Sequence, residues 1–152
     1  MAKNVLPTIS FAGLTELLGY QIRQAQTASF RDLAGPFRKL GITPGEFSLL
    51  TIIDANMDIR QLDLVRIYGL DKSTLSVAVN RLSDRGMIRR RRLPQDRRNQ
   101  GLSLTDAGQD LLQTATRIVN DQEDRMKMVI SPQELDVLMG ALRRIAATLR
   151  ER

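Results

Sequence analysis

Apolar residues recur at steps of three and four along much of this chain, a spacing that keeps one face of a helix hydrophobic. The first stripe lies between Ser10 and about Leu33 and predicts a helix of roughly twenty residues or more. Its members are Phe11, Leu14, Leu18, Ile22, Ala25 and then Ser29 or Leu33. Gly35, Pro36 and Gly41 break the pattern, so we expect the helix to end there.

The next segments predict a central helix and a shorter one. Thr43-Pro44-Gly45-Glu46 combines a threonine N-cap, a proline at the first helical position and a glutamate three residues after the cap. The helix that follows carries Phe47, Leu49, Leu50, Ile52 and Ile53. Because these residues lie on more than one side, we expect this helix to be central. After a turn over 56–59, residues 60–67 predict a short helix with Leu62 and Val65 facing inward and Leu64 as a further candidate.

A tight turn separates this short helix from another one. Gly69 is free to take a positive φ, and Asp71 can cap the next helix, which is typical of a helix-turn-helix. On that helix Leu75, Ala78, Val79 and Leu82 form the predicted buried stripe. The opposite face offers candidates for contacts in the DNA major groove, although a plain solvated face is the alternative. These candidates are Ser73, Thr74, Ser76, Val77, Asn80 and Arg81.

An arginine-rich hairpin follows. Gly86 ends the preceding helix, Met87 and Ile88 lead into the core, and 93–100 form a polar tip before an alternating return strand. Such a two-stranded wing can follow phosphates and place an arginine in a narrow minor groove. Its predicted DNA contacts are Arg90, Arg92, Arg97 and Arg98, with Asp96 orienting Arg98. The arginine run is less typical of a nuclear address or an RNA-binding tail, because apolar strand residues flank it.

The C-terminal part predicts two long helices. Thr105 begins the first, which carries Leu111, Leu112, Ala115, Ile118 and Val119, and a capping box at Ser131-Pro132-Gln133-Glu134 begins the second. The second carries Leu135, Leu138, Met139, Leu142, Ile145 and Leu149. With the first helix of the chain they predict a layer that pairs with a second copy, the alternative being a self-contained monomeric bundle.

The predicted fold is therefore mainly α, a winged helix-turn-helix domain with a two-stranded wing between N- and C-terminal helices that form a dimerisation layer. We divide the chain into an N-terminal helix at 1–40, a DNA-binding domain at 41–104 and C-terminal helices at 105–152.

Composition narrows the function. The 152 residues include no cysteine and no histidine, which removes the common zinc sites, thiol nucleophiles and imidazole bases. We expect no metal, no cofactor and no enzyme activity. Seven arginines and one aspartate between Arg85 and Arg98 give +6, which equals the net charge of the whole protein. The chain has no apolar run long enough for a membrane helix, and its first ten residues have no long apolar region that could act as a signal peptide, so we expect it in the cytoplasm without a membrane partner.

A second stripe on the first helix mixes aromatic and polar groups, namely Tyr20, Arg23, Thr27 and Phe30. One interpretation is ordinary packing with a solvated arginine. The other is a wall of a ligand pocket or of a subunit interface, with Phe47 as a further member. Aromatic groups beside one arginine would suit an aromatic carboxylate or an acyl thioester.

Taken in order, these segments resemble the multiple-antibiotic-resistance regulator (MarR) family of bacterial winged-helix transcription factors. The most specific part is the wing and its exit, Asp96-Arg97-Arg98 and then Leu104-Thr105-Asp106-Ala107-Gly108. The resemblance implies that Arg98 enters the minor groove, that Asp96 orients it, and that 73–81 lie in the major groove. It also implies a homodimer on a pseudo-palindromic operator and a small effector between the dimer layer and the DNA-reading domain. Leu93 departs from the aspartate that many members carry before the wing proline.

Two hypotheses follow. The first is a ligand-responsive transcriptional regulator, a repressor released from its operator by a small effector. The second is an architectural nucleic-acid-binding protein that tolerates many sequences and has no effector. Strong sequence selectivity would favour the first.

Overall fold

The structure, a computed structural model, describes residues 10–68, 72–93 and 96–150, without the side chains of Tyr68, Leu93 and 96–99. A single 3-10 turn at Leu14–Glu16 precedes the first helix. The helices are α1 (Leu18–Leu40), α2 (Pro44–Ala55), α3 (Gln61–Tyr68), α4 (Lys72–Asp84), α5 (Asp106–Lys127) and α6 (Pro132–Arg150). The strands are β1 (Ile59–Arg60), β2 (Ile88–Leu93) and β3 (Asp96–Leu104). The turn predicted at Gly69 and the cap predicted at Asp71 lie outside the described residues.

Helix α1 differs from the prediction at both ends. It begins at Leu18, so Phe11 and Leu14 precede it and are exposed. It also continues through Gly35 and Pro36, and the predicted break there is wrong. A proline inside a helix removes one hydrogen bond, but Leu33 and Phe37 on either side of it are buried in the core, and their packing offsets that cost. The helix ends at Gly41, whose φ of 67° lies in the left-handed region that suits glycine.

Helix α2 is central, as predicted. The Thr43 hydroxyl accepts the Glu46 N–H at 3.2 Å, and the Glu46 carboxylate accepts the Thr43 N–H at 2.8 Å, which closes the predicted capping box. Leu49, Leu50 and Ile53 are buried in the main core.

One residue of the short helix α3 points away from the core, contrary to the prediction. Leu64 is buried and Val65 is half-buried, but Leu62 is 53% exposed. Residues two apart on a helix point to nearly opposite faces, so Leu62 and Leu64 cannot both face the core.

The sheet has one strand more than the predicted wing. Its order is β1-β3-β2, with β2 and β3 forming the wing and the two-residue β1 pairing with the base of β3. Both pairings are antiparallel, and Ile88 lies opposite Leu104 at the base of the wing. Ile88, Leu102 and Leu104 are buried, so this end of the sheet closes the core.

Helices α4 and α6 differ in how much they bury. Helix α4 buries Leu75, Val79 and Leu82, as predicted. Helix α6, in contrast, buries none of its residues within the chain. In the described part of the chain, no helix has the length and the apolar character needed to cross a membrane.

Candidate nucleic-acid interface

One face of α4 presents most of the predicted major-groove residues to solvent. Ser73, Thr74, Val77 and Asn80 are exposed, and Val77 is 68% exposed. Ser76 is half-buried, and its hydroxyl accepts a hydrogen bond from the Gln61 side chain at 2.7 Å, so it links α4 to α3.

Arg81 does not share this arrangement. Its guanidinium forms an ion pair with Glu46 at 3.1 Å and donates to the Gly41 carbonyl at 2.8 Å. The sequence predicts a major-groove contact for Arg81, and in this structure a buried carboxylate on α2 draws its guanidinium towards the α1–α2 turn.

The strand alternation of β2 divides its arginines between two faces. Arg90 pairs with Leu102 and donates to the Asn80 side chain, so it lies on the same side as α4. Arg91 points the other way and forms an ion pair with Asp58. Arg92 is exposed and lies opposite Gln100. The predicted contacts of Arg97 and Arg98, and the orienting role of Asp96, lie outside the described side chains.

A cationic cavity of about 470 Å³ lies between α3, the start of α4 and the wing. Lys72 and Arg90 contribute positive charge to its wall, and Gln61, Ser76 and Gln100 contribute polar groups. Arg60 also lines it, with its guanidinium paired to Asp63 at 2.7 Å. Guanidinium, ammonium, amide and hydroxyl donors are the groups that proteins use to bind DNA phosphates. The cavity therefore continues the exposed face of α4 towards the wing.

Asp58 connects the base of the wing to the turn before β1. Its backbone is left-handed, with a φ of 60°. Its carboxylate binds Arg91 and accepts the Ser103 hydroxyl at 3.0 Å. The hydrogen bond from Arg91, helped by the one from Ser103, holds the Asp58 pKa below its ordinary value of 3.8. Asp58 was not among the predicted site residues, since nothing local in the sequence indicates that a turn aspartate meets residues of the wing.

Asp58→Asn is expected to lower stability by a pH-dependent amount. Asparagine tolerates the left-handed conformation, so the change removes the charge and leaves the backbone unstrained. Because folding lowers the Asp58 pKa, its contribution is present above the unfolded value of 3.8 and is lost as pH falls through the folded value. Thermal melts should therefore show a gap between wild type and variant near neutral pH that closes in acid. Asp54→Asn at an exposed α2 position is the control, and a gap of constant size for Asp58→Asn would contradict the linkage.

A second cavity, of about 380 Å³, lies where the end of α1 meets the start of α2. Its walls include Phe30, Phe37 and Ile42, together with the guanidinium groups of Arg38 and Arg81. Phe47 packs behind it, with its ring centroid 5.9 Å from that of Phe37.

The predicted effector residues are only partly brought together. Phe30 lines this cavity and Phe47 supports it, whereas Tyr20, Arg23 and Thr27 are not among its lining residues. Arg23 and Thr27 are exposed, and the Tyr20 hydroxyl accepts a hydrogen bond from Gln24. The α1 arginine that lines the cavity is Arg38, because 38 lies nearer the end of α1 where α2 meets it.

A polar clamp fixes α1 against α5. The buried Gln122 side chain donates to the Ser29 carbonyl at 2.9 Å and to Asp32 at 2.8 Å, and it accepts the Ser29 hydroxyl. Arg125 forms an ion pair with Asp32, and its hydrogen bond lowers the Asp32 pKa. All three of these Gln122 contacts cross between two helices that are far apart in sequence.

This chain is similar to known proteins both in sequence and in fold. Residues 42–99 match the model of the MarR family. A protein assigned to transcriptional regulation of the hcr operon in Thauera aromatica is 32% identical over 145 residues, which cover 95% of this chain and 87% of that protein. The transcriptional repressor CouR bound to a 23-mer DNA duplex is 32% identical, with a TM-score of 0.84 over 92% of this chain and 99% of its own. CouR bound to p-coumaroyl-CoA is 30% identical, with a TM-score of 0.82 over 91% of this chain and 97% of its own.

Proposed function

Because this chain belongs to the MarR family of DNA-binding transcriptional regulators, we propose that it is a ligand-responsive repressor acting as a homodimer on a pseudo-palindromic operator. The observation that carries the proposal is the continuous surface formed by the exposed face of α4, the cationic cavity and Arg90 of the wing. A recognition helix beside a basic wing suits a major groove and its flanking phosphates.

In this proposal the N-terminal part of α4 enters the major groove. Ser73, Thr74, Val77 and Asn80 face the base edges, and the cationic cavity binds the backbone beside them. The wing extends to the neighbouring minor groove, where Arg98, oriented by Asp96, makes the deepest contact, with Arg92 and Arg97 on the phosphates.

The dimer is supported by unpartnered apolar surface. Large hydrophobic side chains are exposed before and at the start of α1, at the end of α5 and along α6. They include Phe11, Leu14, Leu18, Met128, Val129, Val137, Leu138 and Leu149. An apolar helix that buries none of its residues within its own chain, as α6 does, is typical of an interface. Two copies would also offer two recognition helices, which suit half-sites about 34 Å apart.

The experiment that tests the proposal is a genome-wide selection of DNA fragments by the purified protein at about 150 mM salt, where nonspecific electrostatic binding is weak. A single inverted repeat, with half-sites about one helical turn apart, is the expected result. Fragments retained without a common sequence would refute the repressor and favour the architectural alternative.

We place the effector in the cavity between α1 and α2. Its aromatic and aliphatic wall suits the flat apolar part of a ligand. The Arg38 guanidinium suits a carboxylate or the polar groups of an acyl thioester. CouR has been solved with p-coumaroyl-CoA, which joins an aromatic acyl group to a phosphate-bearing carrier. A small aromatic acid or an acyl thioester is thus the proposed class.

Arg38→Ala is expected to abolish the response to p-coumaroyl-CoA, whereas Arg23→Ala should keep it. Arg38 lines the cavity and Arg23 does not, while both are exposed arginines of α1 and so match in charge and helix. The measurement is DNA affinity with and without p-coumaroyl-CoA for each variant, at fixed salt. Loss of the response in Arg23→Ala but not in Arg38→Ala would move the effector to the stripe of Tyr20 and Thr27.

A further inference from the structure

Two arginines, Arg81 in α4 and Arg85 directly after it, cap the end of another helix. The last carbonyl groups of a helix have no partner within it and must be satisfied from outside. At the end of α1, the Leu40 carbonyl accepts from Arg85 at 3.0 Å, and the Gly41 carbonyl accepts from both Arg81 and Arg85. The C-terminal half of α4 is therefore tied to the end of α1.

A buried carboxylate fixes one of these arginines. Glu46 is only 4% exposed, and besides the Thr43 N–H its carboxylate binds the Arg81 guanidinium. A buried charge is costly without a partner, so Glu46 strongly favours the conformer in which Arg81 turns to it. The planar guanidinium then reaches Glu46 and the Gly41 carbonyl at once, which an ammonium cannot do with the same geometry.

This junction adjoins both functional regions. Arg81 follows Asn80 and lies one turn after Val77, two exposed residues of the DNA-reading face. The same side chain lines the cavity between α1 and α2. Any shift of Arg81 therefore changes both the wall of the cavity and the contact that holds α4 against the α1–α2 junction.

We propose that Arg81 and Glu46 are positioning residues for DNA recognition, and that Arg81 holds α4 at the α1–α2 junction and does not contact DNA. This inference rests on the proposed function and adds to it the route by which the cavity acts on α4. A ligand that displaces Arg81 from Glu46 releases the C-terminal half of α4, whatever the ligand's identity.

The effect of Glu46→Gln on DNA affinity separates a positioning role of Arg81 from a direct contact between Arg81 and DNA. Glutamine has the shape of glutamate and retains an oxygen for the Thr43 N–H, so the cap of α2 is kept. If Arg81 contacted DNA, losing its anionic partner would leave DNA affinity unchanged or increase it. If Arg81 positions α4, losing that partner weakens binding, although Glu46 is buried and on another helix.

The test measures affinity for the DNA selected by the wild-type protein, over a salt series, for Glu46→Gln, Arg81→Ala and the double variant. We expect each single variant to bind about tenfold more weakly and the double variant to be no weaker than either, since both changes break one interaction. The dependence of affinity on salt should keep the wild-type slope, whereas removing a phosphate contact would lower it by about one. Lys39→Ala, which removes an exposed charge from the last turn of α1, should leave affinity unchanged.

Melting curves establish that each variant is folded at the assay temperature. If Arg81→Ala does not fold, Arg81→Lys replaces it, and weakened binding with the wild-type salt slope is again expected. Normal affinity in Glu46→Gln, with a reduced salt slope in the Arg81 variant, would overturn the positioning role. A wild-type protein that selects no DNA sequence would refute the proposed function, and the positioning role with it.

Discussion

A protein carrying Val77→Glu is expected to bind its DNA roughly 100-fold more weakly than the wild type. Val77 lies on the exposed face of α4, between Thr74 and Asn80, and contributes little to the core. A carboxylate there would meet phosphates and the acceptor groups of base edges. Juxtaposed like charges cost several kcal/mol, and about 1.4 kcal/mol corresponds to a factor of ten.

The folded state of Val77→Glu should be almost unchanged, because exposed substitutions usually alter stability by about 0.5 kcal/mol or less. Binding titrations on the selected DNA, together with a thermal melt, separate the two effects. Thr114→Glu introduces the same group at an exposed position on α5, and we expect it to bind like the wild type. Wild-type affinity for Val77→Glu would show that α4 does not enter the groove.

Gly108→Ala is expected to reduce the free energy of unfolding by about 3 kcal/mol, at the upper end of overpacking effects. A Cβ at this position would lie 2.1 Å from the Met87 carbonyl oxygen, a backbone atom. That carbonyl cannot move freely, because it accepts the Thr105 N–H at 3.1 Å and so fixes the start of α5 against the strand entering the wing. The substitution must therefore separate α5 from β2 or distort both.

Chemical denaturation of Gly108→Ala and of Gly45→Ala measures this cost. Gly45 also lies in the first turn of a helix, but its added Cβ would meet nothing closer than the Thr43 hydroxyl at 3.9 Å. We expect Gly45→Ala to be neutral or slightly stabilising, since it restricts the unfolded chain. Equal stability of the two variants would mean that α5 can move away from Met87 at little cost.

Local signals in the sequence predicted much of the fold. The Thr43 and Glu46 pair located the start of α2, and the stripe of Leu75, Val79 and Leu82 identified the buried face of α4. Gly86 marked the end of α4, where its φ is 72°. Such signals come from residues within one or two helical turns of one another. They can therefore be recognised without knowing which segment packs against them.

Features that depend on distant partners could not be predicted from local signals. Pro36 was taken as a break, but burial of Leu33 and Phe37 maintains the helix across it. Arg81 was predicted as a DNA contact, and no local signal indicated its ion pair with Glu46 on α2. Arg23 was predicted as an effector contact, and no local signal indicated that Arg38 is the α1 arginine that lines the cavity.

Local sequence alone predicts the main helices, the two strands of the wing, most of the faces that they bury and the concentration of positive charge between Arg85 and Arg98. Periodicity, capping and charge are properties of neighbouring residues. Which arginines bind a partner within the protein follows only from tertiary contacts. Arg85 meets Gly41 across 44 positions and Arg91 meets Asp58 across 33, so their roles depend on carbonyl and carboxylate groups that the fold alone brings near. A guanidinium bound to such a partner links two elements of the fold that are distant in sequence.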